Sequence, residues 1–331
     1  MDKNQNRTII TVMGIGSGGN NAVNHMYLQD LEGITFMVSD TDRHQLDESP
    51  VPDRVLLGAN TTLGHGASND PEAARRATEE SESDITAALF DNDTKMVIIT
   101  AGMGGATGTG AAPVVARIAH EKVLLTVGLV TIPFMFEGTE KILEAHEGIN
   151  EISKYVDALF IINNEYLTEI YKDLDSSNAL MKVDETLTTV VSSICDLITP
   201  PDPRVCQDFN DVNWILRKGG NAFVVSGFGS GERRVTKAIE NALESPLLRD
   251  CDVFSSQKIM MNIYYNPDSE SPLLMEEVKE VQEFMEKFDK EIGVIWSPAR
   301  DHSLEDQIKV TIMATGFNVS YSLPMGPKHE S

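Results

Sequence analysis

The sequence predicts an α/β fold: a doubly wound, mostly parallel sheet, then a long central helix and a smaller α+β body. Three observations carry this. Short apolar runs alternate with amphipathic stretches through the first half, as a parallel sheet with helical crossovers requires. Two glycine-rich loops, at residues 14–21 (GIGSGGNN) and 101–110 (AGMGGATGTG), each follow an apolar run and open a helical pattern. A helical pattern at 180–198, LMKVDETLTTVVSSICDLI, then runs without Gly or Pro until the PPDP turn at 200–203. The 331 residues exceed what one core usually serves, so two domains are expected.

In chain order, residues 8–16, 33–40, 95–102, 124–133 and 157–164 read as strands. Between them, 20–31, 70–90, 112–122 and 140–156 carry helical spacing, with Asn or Asp at several of the starts. Beyond the turn, 211–218, 233–243 and 273–288 read as helices and 221–229, 258–265, 292–298 and 307–317 as strands of a mixed sheet. The expected division is 1–177, 178–201 as the central connecting helix, 202–320, and a frayed tail at 321–331.

Composition narrows the function classes. With 51 acidic against 27 basic residues the formal charge is -24, which disfavours nucleic acid and direct contact with anionic membrane surfaces. If the chain self-assembles, salt or Mg²⁺ should help. No apolar run approaches a bilayer span, and the N-terminus lacks the pattern of a secretory signal, so a cytoplasmic location is expected. Cys195, Cys206 and Cys251 are far apart, and the seven histidines are scattered, so neither a disulfide framework nor a transition-metal site is expected.

The first glycine loop has Gly14, Gly16 and Gly19 in GxGxxG spacing, and Asp40 closes the next strand about twenty residues on, as a ribose-binding carboxylate does in dinucleotide sites. Alone, this segment suggests NAD and an oxidoreductase. The second loop changes the balance. One dinucleotide needs one crevice, whereas two glycine loops from one sheet can clasp a triphosphate, with Thr107 and Thr109 adding hydroxyl donors. A GxxxxGK[ST] motif, and with it a Walker lysine, is absent from the sequence.

Residues 102–116, GMGGATGTGAAPVVA, resemble the signature of the tubulin/FtsZ family, and the AAPVVA continuation resembles FtsZ. The resemblance runs from about Thr8 to Phe317 through NAVNHM, PFMFEG, CDLITP, DFNDV, SGE, SPLL and TIMATGF, in the family's order. It implies a GTP-binding domain, a central helix and a C-terminal activation domain, in a protein that polymerises head to tail for bacterial cell division. GTP/GDP and Mg²⁺ are the implied ligands, and copies of itself and division-site adaptors the implied partners. By position, Gly18, Gly19 and Asn21 resemble first-loop contacts to nucleotide, and Gly104, Gly105, Ala106, Thr107, Gly108 and Thr109 the phosphate cradle. Glu137 matches the ribose-contacting glutamate, and Asn164 the asparagine after the next strand. Asp208 and Asp211 match the carboxylates that one subunit inserts over the next subunit's GTP. Because an unperturbed aspartate is a poor general base at neutral pH, water positioning and charge suit them better than proton abstraction. Without the resemblance, capping of the helix that follows would be a competing explanation.

Several positions depart from the family pattern. Asp40 replaces an asparagine near the phosphates, Leu180 an aromatic that stacks on guanine, and Lys141 an arginine. The guanine-reading Asn/Asp pair reads Asp184 and Glu185. Cys206 stands where the inserted loop has asparagine, and that loop, PPDPRVCQ, is a residue longer. These departures motivate an alternative, a non-hydrolysing or weakly hydrolysing relative that scaffolds or regulates filaments. The chain also stops soon after the activation domain, without the linker and terminal peptide that reach membrane adaptors, which leaves a truncated chain and a specialised form both open.

Overall fold

The computed structural model describes residues 9–90, 93–171, 175–198, 208–269, 272–288 and 291–319. Six strands of the N-terminal half are parallel neighbours: β1 (Ile10–Ile15), β2 (Ile34–Asp40), β3 (Asp53–Leu56), β4 (Met96–Gly102), β5 (Leu125–Ile132) and β6 (Ala158–Asn163). Their spatial order is β3-β2-β1-β4-β5-β6, so the winding reverses between β1 and β4. In open parallel sheets the crevice at such a reversal, outside the carboxyl ends of the strands, is where ligands sit. Both glycine loops leave from it, because Ile15 at the end of β1 pairs with Ala101 in β4.

The strands read as continuous apolar runs because both faces are covered. Val12 of β1 faces α1 (Gly16–Leu28) and the long α8 (Ser176–Ile198), in a core with Val23, Met26, Leu187, Val191 and Ile194. Its neighbour Met13 belongs to the opposite core, with Ile85 and Leu89 of α4 (Glu82–Phe90), Val115 and Ile118 of α5 (Ala106–Glu121), and Ile142 and Ile149 of α6 (Thr139–Ile152). The remaining helices of this half are α2 (Arg43–Asp47), α3 (Pro71–Glu80) and α7 (Leu167–Ile170). After α8 come α9 (Phe209–Leu216), β7 (Gly220–Gly229), α10 (Arg234–Leu243), β8 (Lys258–Tyr265), α11 (Val278–Met285), β9 (Gly293–Arg300) and β10 (Ile308–Thr315). Here α10 and α11 cover the sheet through Val235, Ile239, Val281 and Phe284.

Four features differ from the sequence expectation. The mixed C-terminal strands continue the parallel sheet rather than forming a separate one. β7 pairs with β6 over three positions, Ala158 to Phe160 against Gly220 to Ala222, which gives one ten-stranded sheet. The helical pattern at 70–90 breaks at Ser81, whose hydroxyl accepts the Gly58 N–H at 2.8 Å while its carbonyl starts α4. β3 has no sequence signal, being four residues of an edge strand just after Pro50 and Pro52. Finally, α5 begins at Ala106, six residues before the expected start at Ala112, so ATGTG is helix rather than loop. Among the described residues, no helix is long and apolar enough to cross a membrane.

Candidate functional site

The site is built from two helix starts placed back to back. α1 follows Ile15 and α5 follows Gly105, and neither of these residues offers a side-chain cap. The leading N–H groups of both helices therefore face the crevice unclaimed by a cap, at the positive ends of the helix dipoles, an arrangement suited to an anion. Glycine makes the close approach possible. A Cβ on Gly108 would lie 2.2 Å from the Gly102 carbonyl, and one on Gly16, itself at φ +70°, would lie 3.0 Å from the Gly108 nitrogen. Gly104 adopts φ +87° and donates its N–H to the Thr109 hydroxyl at 2.9 Å, which folds the second loop onto the first turn of α5.

Between the loops lies a cleft of two depressions, about 310 and 380 Å³, joined through Ser17, Gly18, Gly102 and Gly105. The first brings together Asn21, Gly104, Glu137, Lys141, Asn164, Leu180 and Asp184. The second holds Asp40, Ala106, Thr107 and Gly108. Three of the residues predicted to contact nucleotide lie outside both linings. Gly19 packs on the Thr100 carbonyl, which a Cβ would meet at 2.2 Å. Thr109 is buried with its hydroxyl on Gly104. Glu185 pairs with Lys182 on α8.

The charged groups of the cleft have distinct environments. Asp40 is buried and accepts hydrogen bonds from Asn20 Nδ2 and the Asp42 N–H, both at 3.1 Å. Burial pushes its carboxyl above the ordinary range, more than those bonds pull it down. Asn20 also bonds the Ser39 backbone in both directions, fixing α1 to the end of β2. The Thr41 and Thr107 hydroxyls meet at 2.9 Å across the second depression. Burial on α8 pushes the Asp184 carboxyl up to about 7. Glu137 accepts the Phe134 N–H at 3.0 Å and faces Lys141 at 3.5 Å. Asn164 is buried, and its Oδ1 has no partner, an acceptor awaiting a donor inside the cleft.

The lining also includes residues that sequence reasoning missed. Residues 66–69 wall the second depression with Gly66, Ser68 and Asn69 all at positive φ. Their signal was the helix start beside them, where Asp70 caps α3 and Pro71 occupies its first turn. Val183 and Leu187 come from the same face of α8 as Leu180 and Asp184, three to four residues apart.

Asp208 and Asp211 lie elsewhere. They form a reciprocal capping box on α9: Asp208 accepts the Asn210 N–H at 2.7 Å, and Asp211 accepts the Asp208 N–H at 3.2 Å. At the other end of α9, Arg217 donates to the Leu124 carbonyl at 3.1 Å and to the buried Asp157 at 2.9 Å. Those residues precede β5 and β6, so α9 is anchored at the N-terminal edge of the strands, opposite the cleft. β5, with eight residues, spans about 26 Å between the two edges. Cys206 and the rest of the 200–207 segment lie outside the described residues.

No group of three or more metal-ligating side chains converges among the described residues. A cation fits this donor set only as a companion of bound phosphate, with Asp40 and Asp42 the carboxylates at the second depression.

Comparison with known proteins fits this geometry. Residues 9–172 match the GTPase domain of the Tubulin/FtsZ family, and 220–318 the C-terminal domain of the FtsZ family. The chain is 47% identical over 311 residues to the cell division protein FtsZ of Porphyromonas gingivalis, covering 94% of this chain and 67% of that protein. It superimposes on the empty FtsZ dimer of M. jannaschii with a TM-score of 0.82 at 34% identity, covering 95% and 89% of the two chains. The GTPγS-bound CetZ2 protofilament structure from Haloferax volcanii shares the fold, with a TM-score of 0.78 at 18% identity over 93% of each chain. The chain therefore belongs to the FtsZ family of tubulin-like GTPases.

Proposed function

We propose that the chain binds GTP across both depressions, polymerises head to tail, and hydrolyses the nucleotide where one subunit's α9 meets the next subunit's cleft. The observation that carries this reading is the separation of its two halves. In this reading the phosphate cradle is at the carboxyl ends of the strands, while α9, the helix that Asp208 and Asp211 cap, is held at the amino ends through Arg217, so one subunit is suited to complete the cleft of another.

In this reading the base occupies the first depression, where Leu180 covers it and the Asp184 carboxylate accepts from the guanine N–H donors. Glu137 accepts from the ribose. The phosphates lie on the leading N–H groups of α1 and α5 with the Thr107 hydroxyl. Asp40 and Asp42 would be the residues that hold Mg²⁺ beside the phosphates, where it would supply charge neutralisation for phosphoryl transfer. Asp208 and Asp211 orient the attacking water rather than abstracting its proton outright. Residues 1–177 form the nucleotide domain, 178–201 the connector and 202–320 the activation domain. The protein acts in the cytoplasm at the division site, bound to adaptors, without touching nucleic acid or lipid directly.

The test is GTP turnover as a function of protein concentration. The reading expects turnover per subunit to rise steeply above a threshold, and Asp208→Ala to abolish it while GDP still binds. Turnover proportional to concentration from the lowest value, or an Asp208→Ala variant as active as the parent, would refute it.

A further inference from the structure

Three consecutive residues in the 3₁₀ turn Asn164–Tyr166, just after β6, reach three different parts of the molecule. Asn164 lines the first depression, and its buried Oδ1 has no partner. Glu165 accepts the Met135 N–H at 3.0 Å, on the loop that carries Glu137. Tyr166 donates its hydroxyl to Asp250, which lies just beyond the 3₁₀ turn Pro246–Leu248 that follows α10, and the Arg249 guanidinium lies over its ring at 4.9 Å. Burial and the Asp250 charge push the Tyr166 phenol up to about 12, so it remains a donor at any physiological pH. The turn itself is short, tied locally by the Asn163 side chain on the Glu165 N–H at 3.1 Å and by the Thr168 hydroxyl on the Glu165 carbonyl at 2.6 Å, bonds within the segment that do not fix it against the rest of the molecule. Its orientation therefore depends on these outward contacts.

We propose that Tyr166 and Asp250 form a latch that positions Asn164 for the bound nucleotide, so that nucleotide affinity depends on a contact made by the C-terminal part of the chain. This rests on the reading of the cleft as a guanine-nucleotide site. Tyr166 and Asp250 touch no nucleotide; they act through Asn164. Because binding is reciprocal, a nucleotide that engages Asn164 also tightens the seat of the segment after α10.

The experiment measures GDP affinity by calorimetry, and turnover per assembled subunit, in Tyr166→Phe, Asp250→Ala, Asp250→Asn and the Tyr166→Phe/Asp250→Ala double variant. Amide exchange of residues 164–167 without nucleotide is followed alongside. The latch expects Tyr166→Phe and Asp250→Ala each to weaken GDP about fivefold. The double variant should be no worse than either single change, and Asp250→Asn, which keeps an acceptor for the phenol, should restore most of the affinity. Turnover at saturating GTP should stay at the parental value, and exchange at 164–167 should quicken in the two latch-breaking variants. Unchanged affinity in Tyr166→Phe beside a parent that binds GDP overturns the latch alone, as does an additive double variant. A parent that binds no guanine nucleotide overturns the functional reading and the positioning role with it.

Discussion

Nucleotide affinity should fall about tenfold between pH 8 and pH 6 because of Asp184. Its carboxyl is pushed up to about 7 by burial on α8. In the protein without nucleotide, the folded state holds this proton more tightly than the unfolded chain does, so Asp184 lowers stability progressively as pH rises from roughly 4 to 7. Guanine reverses the preference, since its ring N–H and amino groups are donors that require the ionised carboxylate. Binding below the pKa must therefore release a proton. With a pKa of about 7, the dissociation constant scales as one plus the proton occupancy ratio, roughly 11 at pH 6 and 1.1 at pH 8. The ratio is about tenfold, or ~1.4 kcal/mol. Calorimetric titration with GDP at pH 6, 7 and 8, in buffers of different ionisation enthalpy, reads both the affinity and the proton released. Asp184→Asn keeps an acceptor but does not titrate, so its slope carries only the nucleotide's own ionisation. Identical slopes in the two proteins would refute the assignment of Asp184 to the base.

Three further outcomes follow from the packing. Asp157→Ala leaves the Arg217 guanidinium and the Thr126 and Lys218 N–H groups without their buried acceptor, and should cost about 3 kcal/mol in urea unfolding. Gly108→Ala places a Cβ 2.2 Å from the Gly102 carbonyl, so the second loop must open between β4 and α5, and GDP affinity should fall on the order of a hundredfold with the circular dichroism spectrum retained. Leu180→Phe puts a ring where an exposed aliphatic side chain lines the first depression, and should tighten GDP binding about fivefold through ~1 kcal/mol of stacking.

Much of this was legible in the residues. The parallel strands announce themselves because both faces are buried, and the two glycine loops mark the crevice because backbone can approach backbone only without a Cβ. What escaped notice was set by the direction of side chains and by close backbone contacts. Thr109 reads as a phosphate donor in sequence, but its hydroxyl is turned onto the Gly104 N–H, five residues back. Glu185 sits beside Asp184 yet faces Lys182, because adjacent residues on a helix point about 100° apart. The break at Ser81 depends on Gly58, whose Cβ would lie 2.3 Å from Ala77, a contact that no local periodicity encodes. The role of Asp208 was ambiguous because its side chain caps α9 and is also exposed.

The junction of β6 with β7 has a mechanical consequence. Three residue pairs join these strands, against six between β1 and β2 and eight between β7 and β10. A sheet loaded across its strands yields first where the fewest bonds resist, so this seam is the compliant line of the subunit. Residues of α8 share one core with Val127 and Phe160 on one side of it and with Ala222 and Val224 on the other. A filament built from such subunits would store bending within each one, along a line fixed by the sequence, as well as at the joints between them.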